Sequence, residues 1–585
     1  MKSGCVLVTV GLALVAISTA AVAETKNRPN VVILFADDLG YSDIGCFGGE
    51  IETPHLDRLA AGGVRFSQFY NAARCCPARA SLLTGLYPHQ AGVGFMVYRN
   101  WGEGYQGYLN QRCVTFAEVL GAAGYQTAMI GKWHSGHVPQ SRPEVRGFDH
   151  FTGVYLHIDS YWKVLRNCDV YRNQELLIAA QEDPVNPYHP DQEFYTTDFF
   201  TDAALDYISQ ALDHEDNPFL LHVCYNAPHF PLEAPDELIE KYRGRYMAGW
   251  DRLRREKLAR MKAMGLLSSN QQLPRVRGWV AERVGDLPFK ALVDSGPLHE
   301  WDKLSRRDQE ELDFRRAMYA AQVDRMDQNI GRLIQHLEKR GILDDTLIMF
   351  FSDNGCSGEL GLFGMNWEQY KRTNYAEWRK TGGWSISQGQ CWAAYSNTPL
   401  RKYKQYVHEG GIASPFIAHW PRGITRGGRI VSNQVFHLVD IMPTLCELAG
   451  AQYPEAYQGR PVTPTPGMSM VPYWEGRVGQ PEKRTLYWQH MNHAAVRDGD
   501  WKLVTLNDRD PSGWELYDLS DDRSETENAI AQHPEVAREL AAKWRAWAED
   551  VNALPFPEQR GKPDRNPPPD ARTQSKSRRT TNEHE

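Results

Sequence analysis

Beyond its first two dozen residues the chain has no segment with the roughly 20 apolar residues that a bilayer crossing needs. Stable membrane insertion is therefore not expected. A basic field is missing as well. Lys and Arg number 65 against 73 Asp and Glu, for a formal net charge of −8, and the two signs are mixed along the chain. That pattern excludes nucleic acid as a partner. Cysteine is sparse, with ten in 585 residues and no regular spacing. The dense framework of a small disulfide-stapled domain is thereby excluded. Internal repeats are absent too.

What is present begins with a targeting signal. Lys2 gives a positive start, residues 6–16 are apolar, and Ala21-Val22-Ala23 has the small-x-small form of a cleavage site. A signal peptide over residues 1–23 is expected, with cleavage near Ala23 and a secreted or periplasmic mature protein. An oxidising compartment permits bridges among Cys46, Cys75, Cys76, Cys113, Cys168, Cys224, Cys356, Cys391 and Cys446, but spacing does not pair them.

Four short apolar runs each end in a polar cluster. Residues 31–36 lead to Asp37-Asp38-Leu39-Gly40, and 127–130 to Gly131-Lys132-Trp133-His134. Residues 219–225 lead to Asn226-Ala227-Pro228-His229, and 346–351 to Ser352-Asp353-Asn354-Gly355. Each run is continuous rather than alternating, as in a strand buried on both faces. Helical patterns at 115–123 and 314–339 lie between them. The fold class expected is α/β, a large mixed and mostly parallel sheet flanked by helices. In such sheets the ligand crevice lies at the carboxyl ends of the strands, where all four clusters sit. After about residue 480, short strands at 485–490, 494–497, 501–506 and 515–519, with a turn at 498–500 and a helix over 535–551, read as a small antiparallel α+β subdomain over 481–553. Pro, Arg, Lys and polar residues over 554–585 read as a disordered tail.

The residues that carry chemistry follow. In Arg74-Cys75-Cys76-Pro77-Ala78-Arg79, Pro77 suits the first turn of a helix and Cys75 falls just before it. The helix N-terminus and Arg79 together favour an anion there. A structural or reactive thiol is the plainer alternative. Asp37, Asp38, Asp353 and Asn354 offer oxygen donors from two strand ends, a set that suits Ca2+ or Mg2+ over zinc. Lys132 and His134 are two apart and share a face if the segment is extended. His229 lies between two prolines, and Lys402 and Lys404 precede His408-Glu409-Gly410-Gly411.

Residues 75–85, Cys-Cys-Pro-Ala-Arg-Ala-Ser-Leu-Leu-Thr-Gly, resemble the signature of the formylglycine-dependent sulfatases, within the alkaline phosphatase superfamily. Gly-Lys-Trp-His, Ala-Pro-His and the basic segment before Glu-Gly-Gly match further motifs in order, from about 29 to 475. The resemblance implies a catalytic domain over 24–480 with an alkaline-phosphatase-like sheet. It implies that Cys75 rather than Cys76 is oxidised to formylglycine by a formylglycine-generating enzyme. Ca2+ would be held by Asp37, Asp38, position 75, Asp353 and Asn354. The hydrated aldehyde would attack the sulfur of a sulfate monoester, from a sulfated small molecule or glycan. His229 or Lys404 would help the alcohol leave, and His134 would deprotonate the remaining hydroxyl, expelling sulfate. Arg79, Lys132 and Lys404 would stabilise charge. Counting from Leu-Arg and to Glu-Gly-Gly selects Lys404 over Lys402. Two other functions fit the same residues: a phosphodiesterase or phosphonate monoester hydrolase of the superfamily, and a non-catalytic glycan-binding protein. An aromatic segment, Trp367, Tyr370, Tyr375, Trp378, Trp384 and Trp392, reads either as a rim that stacks on substrate or as a loop covering its own small core. The insertion over 243–313 is a second candidate for shaping the entrance.

Overall fold

The computed structural model describes residues 28–556 apart from 98–99, 166, 182, 215–216, 283–290, 299, 365–385 and 478–479. The expected signal peptide, nearly all of the expected tail and every aromatic of the 367–392 segment except Trp392 lie outside the described residues.

The four apolar runs become neighbouring strands. Among the described residues the main sheet contains β1 (Asn30–Ala36), β2 (Val64–Tyr70), β3 (Gln126–Lys132), β4 (His150–Val154), β5 (Val170–Arg172), β6 (Glu175–Ile178) and β7 (Phe219–Cys224). A separate hairpin, β8 (Arg277–Glu282) with β9 (Ala291–Pro297), lies in the 243–313 insertion. The main sheet is completed by β10 (Thr346–Ser352), β11 (Ala413–His419), β12 (Arg429–Val431) and β13 (Phe436–His437). Its order is β12-β2-β11-β10-β1-β7-β3-β4-β5-β6, with β13 also on β2. The five strands β10, β1, β7, β3 and β4 run parallel, whereas β11, β5 and β6 pair antiparallel to their neighbours.

Burial explains the unbroken apolar runs. Val32, Leu34 and Ala36 of β1 join the core on one face, and Val31, Ile33 and Phe35 join the core on the other. The helices Pro54–Gly62, Thr196–His214 and Arg306–Lys339 cover the first face. The helices Cys75–Thr84, Phe116–Ala122 and Ile441–Ala449 cover the second. Thr115 caps Phe116–Ala122 in a capping box with Glu118. The long helix begins at Arg306, eight residues before the expected start. Residues 306–313 have almost no apolar periodicity, but Ser305 accepts from the Asp308 N–H at 3.2 Å and Arg306 pairs with Glu310 at 2.8 Å, so the polar turn is held locally.

A small hairpin, β14 (Ala456–Tyr457) and β15 (Arg460–Pro461), precedes a four-stranded antiparallel sheet, β16 (Thr485–His490), β17 (His493–Asp498), β18 (Trp501–Thr505) and β19 (Trp514–Asp518). Helix Pro534–Asp550 packs Leu540, Trp544 and Ala548 against its Ala494, Val496, Leu503 and Leu516. A buried ion pair and a hydrogen bond fasten this unit to the larger one built on the main sheet. Lys502 Nζ, which is also 2.8 Å from Glu525 Oε1 within its own unit, lies 2.9 Å from Glu409 Oε1, and Trp488 Nε1 donates to the Asn71 carbonyl at 2.8 Å. No helix among the described residues is long and apolar enough to cross a membrane.

Trp392 is not part of a rim. It is buried against Trp250, Trp301 and Tyr246, so the described end of the aromatic segment fills a core formed with the 243–313 insertion.

Candidate active site

Sheet register brings the site together. β1 and β10 are parallel with Ala36 opposite Ser352, so Asp37-Asp38 and Asp353-Asn354 leave the sheet side by side. Asp38 takes a left-handed backbone, φ 67°. Its N–H donates to Asp353 Oδ1 at 3.2 Å, and Asn354 Nδ2 donates to Asp38 Oδ1 at 2.7 Å. Lys132 ends β3, one strand beyond β7, and its Nζ donates to Asp37 Oδ2 at 2.6 Å. Arg79 comes from above. One guanidinium nitrogen donates to the Lys132 carbonyl at 2.7 Å, and another lies 3.2 Å from Asp353 Oδ2 and 3.7 Å from Asp37 Oδ2.

Cys75 differs from expectation in one respect. It is the first residue of helix Cys75–Thr84, with Arg74 as N-cap, rather than the residue before the helix. All ten helical residues are buried, so the thiol is pressed into the site with the amide end of the helix behind it. His134 also arrives differently. Its φ of 51° is left-handed, so Lys132 and His134 diverge: Lys132 points to Asp37, and His134 to the Cys75–Cys76 pair, whose sulfurs and a ring nitrogen of His134 lie within 4.8 Å of one another. Strain of this kind collects where surrounding structure over-determines a position.

His229 and Lys404 close the opposite side. His229 Nδ1 donates to the Phe230 carbonyl at 2.5 Å, which leaves Nε2 to accept from Lys404 Nζ at 3.2 Å. Lys404 also donates to Asp38 Oδ2 at 2.9 Å and lies 3.3 Å from Glu359 Oε2. Lys402 is elsewhere, with its Nζ 5.0 Å from the Tyr406 ring centre.

The charges interact strongly. Burial alone would raise the Asp37 carboxyl, but the Lys132 ammonium and the Arg79 guanidinium outweigh it and hold it below the usual range. Burial and the adjacent Asp37 push Asp353 well above its ordinary value, despite the Arg79 guanidinium beside it. A hydrogen bond from Cys76, assisted by His134 and Lys132, lowers Cys75, whereas burial raises Cys76. Burial holds His134 down to about 3, with Lys132 adding to the effect.

The same cluster fits a hard cation. Asp37 Oδ1 and Asn354 Oδ1 are buried with no hydrogen-bond partner, and the Asp38 and Asp353 carboxylates adjoin them. Orphaned buried oxygens are costly, and an all-oxygen set suits Ca2+ or Mg2+. Two participants had no sequence signal to mark them. Glu359 pairs with Arg74 at 3.1 Å as well as with Lys404, and Tyr161 Oη donates at 2.9 Å to the carbonyls of Asn226 and His229, which positions the His229 loop.

Comparison with known proteins identifies the fold's family. A family profile described as Sulfatase matches residues 29–451. The chain belongs to the sulfatase family. It is therefore an enzyme of the sulfuric ester hydrolase class, with an alkaline-phosphatase-like fold. A second profile, N-sulphoglucosamine sulphohydrolase, C-terminal, matches residues 402–550. The sulfatase is 32% identical to an uncharacterized sulfatase of Schizosaccharomyces pombe over 92% of this chain and 96% of the relative. It is 33% identical to an arylsulfatase of Klebsiella aerogenes over 77% of this chain and 92% of the relative. The solved structure of Ps i-CgsB in complex with k-i-k-neocarrahexaose shares the fold at TM-score 0.60 and 23% identity, over 92% of this chain and 100% of that one.

Proposed function

We propose that this sulfatase hydrolyses sulfate monoesters of carbohydrates or aryl alcohols, using formylglycine made from Cys75 and a bound Ca2+. The observation that carries this reading is the convergence on position 75 of a cation-shaped oxygen cluster, Asp37, Asp38, Asp353 and Asn354, and an anion-shaped basic cluster, Arg79, Lys132, His134, His229 and Lys404. The Cys75 sulfur stands where the oxygens of the hydrated aldehyde would lie. Formylglycine supplies a nucleophilic hydroxyl and, by reverting to a carbonyl, a way to release sulfate that a thiol lacks. Ca2+, held by Asp37, Asp38, Asp353, Asn354 and position 75, would polarise a sulfate oxygen.

The side chains divide the remaining work. Arg79 and Lys132 fix the Asp37–Asp353 pair and hold positive charge beside position 75. Lys404 presents its ammonium to the other side of an incoming sulfate, so charge developing on the sulfate oxygens meets preorganised cations. His229 Nε2, the acceptor in its contact with Lys404, takes a proton from that lysine or from solvent and delivers it to the leaving alcohol oxygen. His134, whose ring nitrogen lies beside position 75, is placed to take the proton of the second hydroxyl.

In this reading residues 1–23 direct export, 24–480 form the catalytic domain, 481–553 its C-terminal subdomain, and a formylglycine-generating enzyme is the maturation partner. The test is mass spectrometry of the peptide containing Cys75 after co-expression with such an enzyme, paired with turnover of 4-nitrophenyl sulfate and matched phosphate esters. An aldehyde mass at 75 and preference for the sulfate ester are expected. An unmodified thiol in an active enzyme, or clear preference for a phosphate ester, overturns the proposal.

A further inference from the structure

The loop between β4 and β5 gathers three side chains of metal-ligand type outside the catalytic set. A ring nitrogen of His157, a carboxylate oxygen of Asp159 and the Cys168 sulfur lie within 4.8 Å of one another. His157 Nε2 is 3.1 Å from Asp159 Oδ1. That oxygen is buried and accepts no hydrogen bond. A buried acceptor left without a donor is costly, and a cation shared by the three residues removes the cost.

Both arms of the loop are held in place. Next to Asp159, Ser160 Oγ and the Tyr161 N–H donate to the Glu233 carboxylate at 2.8 and 2.6 Å. On the returning arm, Val164 and Gln181 exchange backbone hydrogen bonds, and the Cys168 N–H donates to the Leu165 carbonyl at 2.9 Å. Cys168 is 4% exposed, whereas the side chains of His157 and Asp159 are 19% and 16% exposed. The sulfur is therefore the floor of the cluster, and the other two side chains border solvent, which gives an ion a way in.

The donor set selects the metal. One nitrogen, one oxygen and one sulfur suit Zn2+, in contrast to the all-oxygen cluster around Asp37 and Asn354. Tetrahedral bonds of about 2.0–2.3 Å set ligand atoms roughly 3.3–3.8 Å apart, a spacing within reach of small side-chain rotations here.

We propose that His157, Asp159 and Cys168 form a second metal site, for Zn2+, with water as the fourth ligand. His157 binds as the neutral imidazole and Cys168 as the thiolate, so occupancy sends the Cys168 proton to solvent. The His157 ring centre is 6.2 Å from that of His134, so an occupied site fixes the side chain next to the catalytic base. Zn2+ binding here does not depend on conversion of Cys75.

The test is titration of the metal-stripped full chain with Co2+, a coloured stand-in for Zn2+, under anaerobic conditions and with Ca2+ in excess to compete for the all-oxygen cluster. Co2+ bound to a thiolate gives a sulfur-to-cobalt charge-transfer band in the near ultraviolet. The wild type is expected to show this band, and added Zn2+ to erase it. Cys75, Cys76 and His134 are a rival sulfur-containing set, also within 4.8 Å. The band is therefore expected to remain in Cys75→Ala and to be lost in Cys168→Ser. His157→Gln and Asp159→Asn are expected to weaken Zn2+ binding by at least about a hundredfold, since loss of even an outer-shell partner costs about 10–100-fold. A wild type without the band overturns the proposal, as does a band that survives Cys168→Ser. If Cys168→Ser does not fold, unchanged Zn2+ affinity in His157→Gln and Asp159→Asn overturns it equally.

Discussion

Lys404 Nζ lies 2.9 Å from Asp38 Oδ2, although 366 residues separate the two in the chain. Lys402, two residues earlier, points to the Tyr406 ring instead. Lys404→Ala is therefore expected to lower kcat/KM for 4-nitrophenyl sulfate by about 10²–10³-fold, the usual effect of deleting one preorganised charge-stabilising group. Lys402→Ala is expected to change it only a few-fold. Equal losses in the two variants would remove Lys404 from its proposed role.

The orphaned oxygens of Asp37 and Asn354 predict a metal-dependent stability. Protein stripped with a chelator should melt at a higher temperature when CaCl2 is restored, with a gain of about 2.7 kcal/mol at a hundred times Kd. Asn354→Leu should abolish most of that gain and reduce the calcium content measured by atomic emission. A calcium-independent melting temperature would contradict the assignment.

The two adjacent cysteines are expected to behave differently. Cys75→Ala should reduce turnover by at least about 10⁴-fold, as loss of a nucleophile does, without a matching fall in melting temperature. Cys76→Ala should keep much of the activity, because Cys76 faces Met96, 3.8 Å away sulfur to sulfur, and adds only a hydrogen bond to its neighbour. Comparable losses in both would refute the choice between them.

Glu233 predicts a pH dependence. Its carboxylate accepts from the Tyr161 N–H at 2.6 Å and from Ser160 Oγ at 2.8 Å, yet burial pushes it up to about 7. A carboxyl whose folded pKa is raised holds its proton in the native state after the unfolded chain has lost it. Its contribution is complete below the unfolded value of 4.5 and declines as pH rises to about 7. The change is on the order of 3 kcal/mol. Urea unfolding of Glu233→Gln should show a flatter stability profile across that window than the wild type. An identical slope would mean that Glu233 does not titrate there.

Much of the fold was legible because its signals are local. Residues 31–36 and 346–351 are unbroken apolar runs, and burial on both sheet faces is the reason. The helical pattern expected at 115–123 is kept as helix Phe116–Ala122. The misread elements were those whose local pattern is weak or overridden. Residues 306–313 are helical without apolar periodicity, and His134 turns left-handed where an extended segment was expected. Trp392 looked available for stacking and is instead packed by Trp250 and Trp301, each more than 90 residues away in the chain.

By itself the sequence determined the strand–helix alternation, the polar clusters at strand ends and the motif order that marks a sulfatase. These follow from periodicity and from short contiguous motifs. Only the tertiary structure decided which clusters meet: Asp38 with Lys404, Arg79 with Asp353, and Glu359 with Arg74. Strand order and register set those meetings, and both depend on packing between segments hundreds of residues apart, which no local spacing encodes.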